Sequence, residues 1–240
     1  MQFDPPLQEA KLIKRYKRFL ADVELADGTT ITVHCPNTGS MYNCQKAGSK
    51  IWYSTSKNAE RKYPNTWEII EVDNRHKVGI NTASANKLVL EAIYNKVIRS
   101  LQGYSTVRKE VPYGVQNSRI DILLEDMVNN QCRRCFVEVK NVSLGIGDGM
   151  GLFPDAVTKR GQKHMQELIE IASVGDRAVL LFCVQHEGIN QVYPADDIDP
   201  EYGRLLRQAE AAGVEIQAYG TEFDIDTSTL SIKQELSVII

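Results

Sequence analysis

Residues 119 to 141 read RIDILLEDMVNNQCRRCFVEVKN, and the fold of the larger part of the chain turns on them. Two apolar runs of strand length flank Asn129 and Asn130, and asparagine tolerates the positive φ that a tight β-turn requires. Folded about that pair, the strands put Asp121 opposite Glu138, with their Cβ atoms about 5 Å apart. Lys140, two residues beyond Glu138, points to the same face of its strand.

Two carboxylates facing each other in a sheet repel one another, and burying them is costly unless a cation or proton compensates. A divalent metal is the economical answer, because hard Mg²⁺ or Mn²⁺ takes carboxylate oxygens and water and leaves positions for a phosphate. Lys140 is then placed to orient or activate an attacking water and to stabilise charge on phosphorus. The pattern therefore points to metal-assisted phosphodiester hydrolysis.

Outward from this stretch, strand signals precede it in STVRKEVPYG (105–114), and KRGQKHMQELIEIAS (159–173) follows with Met165, Leu168, Ile169 and Ala172 at amphipathic helical spacing. RAVLLFCVQ (177–185) reads as a strand buried on both faces, and Asp199-Pro200 opens a helix that leads into the strand VEIQAYG (214–220). This β-α-β unit demands a parallel neighbour and a right-handed crossover, so residues 81–240 are expected to form an α/β domain with a mixed central sheet. Upstream, Lys87 to Leu101 carries an apolar stripe of Leu88, Ala92, Val97 and Leu101, with Thr82 and Ser84 as candidate caps and Glu91 at the margin of the stripe.

Residues 1–80 read differently. KLIKRYKRFLADVEL (11–25) alternates charge and apolarity, Asp27-Gly28 supplies a turn, and TTITVHC, SKIWYSTS and NTWEIIEVD add further strands. About five strands with no strong helix between them suit a small Greek-key barrel of the OB type. NRHKVGINTASAN (74–86) reads as the junction between the two domains. The charge balance changes there as well: residues 1–80 hold 12 Lys+Arg against 9 Asp+Glu, and residues 81–240 hold 16 against 22.

Lys11, Lys14, Arg15, Lys17 and Arg18 cluster beside Tyr16 and Phe19, and Trp52, Tyr53, Lys57, Arg61, Lys62 and Tyr63 repeat the mixture. Cations neutralise phosphates and exposed rings stack on bases; equally, the rings can be core and the cations a solvated rim. Asn37, Thr38 and Gly39 suit either a binding turn or a plain strand reversal. Thr158, Arg160, Lys163 and His164 fall on the first turns of a helix, where the positive end of the dipole favours a phosphate, though a solvated helix start has the same composition. Arg119 is a further candidate cation beside Asp121. Gly145, Gly147, Gly149 and Gly151 read as a mobile loop, not a P-loop, because no G-K-[ST] follows.

The composition excludes other classes. A net charge of −3, 42% hydrophobic and 25% charged residues describe an ordinary globular chain. Neither a signal-peptide pattern nor a stretch of membrane-spanning length is present, so a cytoplasmic protein without membrane association is expected. Five cysteines, at 35, 44, 132, 135 and 183, lack the even spacing of a disulfide framework, and Cys132 and Cys135 read as part of a hairpin rather than half a zinc site. No dinucleotide fingerprint, Walker motif or nucleophile elbow supports a small-molecule enzyme of sugar metabolism.

Ile120-Asp121 followed by Glu138-Val139-Lys140 resembles the PD-(D/E)XK nuclease superfamily, lacking the usual proline before the aspartate; the resemblance implies Glu91 as an additional acid and metal ligand with Asp121 and Glu138. Over almost the whole chain, the segments HCPNTGSM (34–41), SRIDILLED (118–126), FVEVKNVSL (136–144) and FPDAVTKRGQKHMQEL (153–168) resemble the sugar fermentation stimulation protein A family. That resemblance implies an OB-like domain followed by a restriction-endonuclease-like domain, DNA binding without strong sequence preference, and a regulatory role in sugar metabolism. Two readings of function stay open: a DNA-binding protein with an intact metal-dependent nuclease site, or a DNA-binding regulator whose nuclease fold is a scaffold. Many nucleases of this class pair their sites, which makes a homodimer an expected arrangement.

Overall fold

β-Branched and aromatic residues alternating with polar ones build the first half of the molecule, whose architecture is taken from a computed structural model describing residues 1–58, 60–113 and 118–240. Its strands are β1 (Gln8–Tyr16), β2 (Leu20–Glu24), β3 (Thr30–His34), β4 (Lys50–Thr55) and β5 (Asn65–Val72), in the order β3-β2-β1-β4-β5. A parallel bridge from His34 to Thr66 joins β3 to β5 and closes the sheet into a five-stranded OB-like barrel. The inward positions are apolar and buried, among them Leu12, Val23, Val33, Ile51, Trp67 and Ile70. Trp67 meets its one polar demand internally, donating from Nε1 to the Ile69 carbonyl at 3.0 Å.

Two expectations for this half need correction. The alternating run from Lys11 is not continuous, because Lys17 and Arg18 adopt φ of 49° and 65° and turn β1 back into β2. No glycine or asparagine marks that turn; the closed barrel imposes the left-handed conformation on two long cations. The segment read as a junction contains β6 (His76–Gly79), which pairs antiparallel with β5.

The second half begins with α1 (Ala83–Tyr94) and a 3₁₀ turn at Arg99–Leu101. The helix expected to run to Leu101 therefore ends at Tyr94; Lys96 takes φ of 60° and Val97 is exposed. The capping group also differs from expectation: Asn81 Oδ1 accepts from the Ala83 N–H at 3.1 Å, while Thr82 makes no side-chain cap bond.

The strands that follow are β7 (Thr106–Tyr113), β8 (Ser118–Val128), β9 (Gln131–Val142), β10 (Leu144–Gly145) and β11 (Met150–Phe153). Gly114, the last residue of the strand expected at 105–114, lies outside the described residues. After α2 (Lys159–Ser173) come β12 (Arg177–Val184), β13 (Gln191–Pro194), α3 (Pro200–Ala211), β14 (Glu215–Asp224) and β15 (Thr229–Val238). They form a mixed nine-stranded sheet ordered β10-β11-β13-β15-β14-β12-β9-β8-β7. β12 lies parallel to both β9 and β14 at its centre, as its unbroken apolar run requires. Leu88 and Val89 of α1 pack on one face of the sheet, and Met165 and Leu168 of α2 with Leu205 and Leu206 of α3 on the other. Gly145 to Gly151, expected as a mobile loop, instead form the β10–β11 hairpin, with β11 paired in parallel to β13.

The β8–β9 hairpin turns at Asn129 and Asn130, with φ of 51° and 63°, and its ladder runs from Val128↔Gln131 to Ile122↔Val137. Both turn residues take the left-handed values of a type I′ turn, for which glycine is best at the second position. Asn130→Gly is therefore expected to stabilise the protein by about 0.5 kcal/mol, and Asn130→Val to destabilise it by about 1–2 kcal/mol, read from the urea midpoint at constant m. An equal midpoint for all three chains would show that the turn carries no strain.

The two halves are stitched together. The Gly79 N–H donates to the Gln185 carbonyl at 2.8 Å and the Glu187 N–H to the Lys77 carbonyl at 3.0 Å. Ser40 Oγ donates to Asp155 Oδ2 at 3.0 Å.

Candidate active site

Asp121 sits where its strand breaks pattern. The β7–β8 ladder runs Lys109↔Ile122 and then Val111↔Ile120, passing over Glu110 and Asp121, and Glu110 holds φ of 52°. On the other side the β8–β9 ladder ends at Ile122↔Val137, and the Asp121 side chain takes the next partner: Oδ2 accepts from the Val139 N–H at 2.8 Å. Its Oδ1 accepts from Asn86 Nδ2 at 2.7 Å. The local irregularity frees Asp121 from the pleat and turns its carboxylate toward the end of β9.

Glu138 and Lys140 alternate with Val139 on β9 and so share the face covered by α2. Glu138 is 2% exposed. Its Oε1 accepts from Lys140 Nζ at 2.6 Å and from His164 Nδ1 of α2. Among the described residues Glu138 Oε2 is buried and has no hydrogen-bond partner. His164 Nε2 accepts from Arg160 Nε at 3.4 Å. A guanidinium can only donate and a carboxylate can only accept, so the imidazole proton belongs on Nδ1, facing Glu138, and the Lys140 Nζ that lies 3.2 Å from that nitrogen gives its hydrogen bond to Glu138 instead.

The electrostatics separate the two acids. Burial, and then the charge of Glu138, push the Asp121 carboxyl up to about 6. Burial also raises Glu138, but the His164 hydrogen bond and the Lys140 charge outweigh it and hold this carboxyl below its ordinary value. One acid is thus fixed as an anion while its neighbour titrates near neutrality, the separation expected of paired carboxyls in different surroundings.

Asp121, Glu138, Lys140, Arg160 and His164 line one cleft of about 380 Å³. Asn37 reaches the same cleft from the barrel, with Thr38 exposed beside it. Asn37 Oδ1 accepts from the Gly39 N–H at 2.8 Å, so the turn is locally satisfied as well as placed at the cleft. Arg15 is turned inward, donating to the carbonyls of Asn37 at 2.9 Å and Gly39 at 3.0 Å, and it holds that turn.

Other candidates lie elsewhere. Glu91, expected as the additional acid, pairs with the Met1 ammonium at 2.7 Å. The helix begins at Ala83, which sets Asn86 toward Asp121; Glu91, five residues on, lies about 140° further round. Lys14 is exposed near Asp22, and Lys17 and Arg18 are exposed at the hairpin tip. Arg119 is exposed and donates to the Glu110 carbonyl at 2.9 Å. Lys163 is half-buried on α2. Trp52 and Tyr53 are buried in the core and are not stacking platforms, whereas Phe19 is 44% exposed.

The start of α2 is more self-contained than its sequence implies. Thr158 Oγ1 accepts from the Gly161 N–H at 3.0 Å, and Asp199 Oδ2 takes the Thr158 N–H at 2.8 Å. Arg160 and His164 reach the cleft through their side chains, not through free helix-end amides. Sequence reading missed Asn86, Asn141 and Asp155, all of which line the cleft; a polar residue on a helix, a loop or the end of a strand carries no signal until the packing of the domains around it is known.

Residues 13–80 match the model of the SfsA N-terminal OB domain, and residues 83–227 that of the sugar fermentation stimulation protein RE domain. The sugar fermentation stimulation protein homolog of Shewanella woodyi is 53% identical over 232 residues, covering 96% of this chain and 97% of that one. The Shewanella loihica homolog is 55% identical over 230 residues, with the same coverage of both chains. Among solved structures, Pyrococcus furiosus SfsA in complex with Ca²⁺ superposes with a TM-score of 0.86 at 26% identity, over 100% of this chain and 98% of that one.

Proposed function

The chain belongs to the sugar fermentation stimulation protein family, and from that premise we propose that it is a divalent-cation-dependent phosphodiesterase acting on DNA, with its OB-like barrel gripping the backbone beside the cleft. The observation that carries this reading is the convergence of Asp121, Glu138 and Lys140 with one Glu138 oxygen, Oε2, left buried and without a partner. An orphaned buried carboxylate oxygen is costly. A hard cation with oxygen ligands answers it, and Asp121 and Glu138 are the residues that would hold it. The Ca²⁺ complex of the Pyrococcus protein supports a cation of that class. When bound, the cation would supply Lewis-acid polarisation of the phosphoryl group.

The chain's own residues do the rest. Lys140 brings an ammonium to the carboxylate pair and stabilises negative charge gathering on the phosphate oxygens. Arg160 offers a guanidinium suited to a phosphate. His164 donates from Nδ1 to Glu138 and keeps that carboxylate ionised. Asn86 and the Val139 amide orient Asp121. The barrel's Asn37 turn, braced by Arg15, forms part of the cleft wall, so binding and cleavage share one surface. A regulatory role in sugar metabolism, which the family's name suggests, would follow from action on DNA.

The reading is tested by incubating the full chain with single-stranded, double-stranded and branched DNA and with RNA, each with Mg²⁺, Mn²⁺ or Ca²⁺. Cleavage of a DNA substrate with Mg²⁺ or Mn²⁺ is expected, along with a steep fall of affinity with salt. Binding without cleavage of any substrate would replace this reading with that of a DNA-binding regulator on a nuclease scaffold.

A further inference from the structure

Asn141 follows Lys140 at the end of β9 and lines the same cleft, half-buried. Its Oδ1 accepts from Gln185 Nε2 at 2.6 Å. Gln185 is fully buried, and the same Nε2 lies 3.4 Å from the Asn81 carbonyl oxygen at the junction of the two halves. A backbone carbonyl can only accept, so the end of the Gln185 amide facing Asn81 and Asn141 is its amino end. Asn141 must then offer Gln185 its carbonyl oxygen, which leaves its amino group for the cleft. Among the described residues no protein acceptor takes a hydrogen bond from Asn141 Nδ2, and this nitrogen is not among the buried atoms lacking a partner.

The junction is shaped around this arrangement. A Cβ at residue 79 would stand 2.5 Å from Gln185 Oε1, which is buried without a hydrogen-bond partner among the described residues, so glycine at 79 gives the glutamine its room. The Gly79 N–H also donates to the Gln185 carbonyl at 2.8 Å. Gln185 is therefore fixed by the barrel, and it fixes Asn141 in turn.

We propose that Asn141 is a substrate-contacting residue whose Nδ2 amino group donates to a non-bridging phosphate oxygen of nucleic acid in the cleft, with Gln185 as its positioning residue. The inference rests on the nucleic-acid reading above, but on its binding part and not on cleavage. A neutral amide whose oxygen already accepts from Gln185 is a weaker cation ligand than the neighbouring carboxylates, and the group it has free is a donor, which selects an acceptor. Phosphate oxygens are the acceptors a nucleic-acid backbone presents to such side chains, and Lys140 and Arg160 beside it favour the same ligand.

The test measures affinity for a short DNA duplex by fluorescence anisotropy, with Ca²⁺ present, over a range of salt concentrations. Asn141→Ala is expected to weaken binding about tenfold, and Asn141→Asp, which replaces the donor with a negative charge, by more. Because the lost group is neutral, the slope of log affinity against log salt should stay at the wild-type value in Asn141→Ala, whereas Arg160→Ala should flatten it by about one unit. Gln185→Met leaves Asn141 in place but frees its amide to turn, and is expected to weaken binding about threefold in a chain whose thermal midpoint confirms folding. Wild-type affinity in Asn141→Ala, a flattened salt slope in that variant, or a wild-type chain that binds no duplex would each overturn the inference. A wild-type chain that binds duplex but never cuts it overturns the nuclease reading alone.

Discussion

Glu138→Ala is expected to lower metal-dependent DNA cleavage by at least about 10³-fold while leaving DNA affinity in Ca²⁺ within about threefold of wild type. The carboxylate touches both Lys140 and His164, and it carries the Oε2 that has no partner among the described residues and that a cation would occupy. Its removal takes away a ligand, releases the Lys140 ammonium from its place and leaves the His164 Nδ1–H without its acceptor. Affinity should persist because the residues proposed to meet a backbone phosphate, Arg160 and Lys140 among them, keep their charge, and losing a carboxylate lessens repulsion of the phosphate. Glu138→Gln separates ligation from shape. It keeps the volume and one oxygen for Lys140, yet loses the negative charge, and should be as inactive as the alanine variant. Retained cleavage in either chain would remove Glu138 from the chemistry.

What could be read from the sequence was what local geometry alone decides. The Asn129-Asn130 turn announced itself because two residues of positive φ between two apolar runs fix the hairpin register, and that register brings Asp121 and Glu138 together. The run from Arg177 was legible as the centre of the sheet because only a strand covered on both faces is apolar throughout. Glu91 was misjudged because the face of α1 that meets Asp121 carries Asn86, and Glu91, about 140° further round, turns instead to the Met1 ammonium, a long-range pairing that the helix's own pattern does not show. The Lys17-Arg18 turn and β6 were hidden because barrel closure, a long-range constraint, overrides the local preference of those residues. Arg15 looked like one more cation of a basic stripe; its role as a brace for the Asn37 turn exists only once β1 and the loop after β3 are side by side.

Asp121 should make the metal-free protein less stable as the pH rises through about 6, the value to which burial and the Glu138 charge push its carboxyl. In the unfolded chain this carboxyl titrates near its ordinary 3.8, so between the two values the folded state binds a proton that the unfolded state has lost. The stability this proton confers is fully present below about pH 4 and is lost as the pH climbs past 6, a difference of roughly 2 to 3 kcal/mol. Glu138 acts in the opposite sense, since its lowered carboxyl stabilises the fold above its ordinary value and loses that contribution on acidification. The raw pH profile therefore mixes the two, and comparison with Asp121→Asn separates them. The asparagine keeps an oxygen for the Val139 N–H and can pair with Asn86 once that amide turns, but it carries no charge at any pH. In EDTA, the unfolding free energy of Asp121→Asn should match that of wild type near pH 4 and exceed it by roughly 2 kcal/mol at pH 8. Ca²⁺ at pH 8 should then close most of the gap by raising wild type alone, because a cation binding the folded state offsets the repulsion between Asp121 and Glu138. A gap that does not change with pH would mean that Asp121 ionises without cost in the folded protein, and a gap that Ca²⁺ leaves open would mean that the two carboxylates do not share a cation.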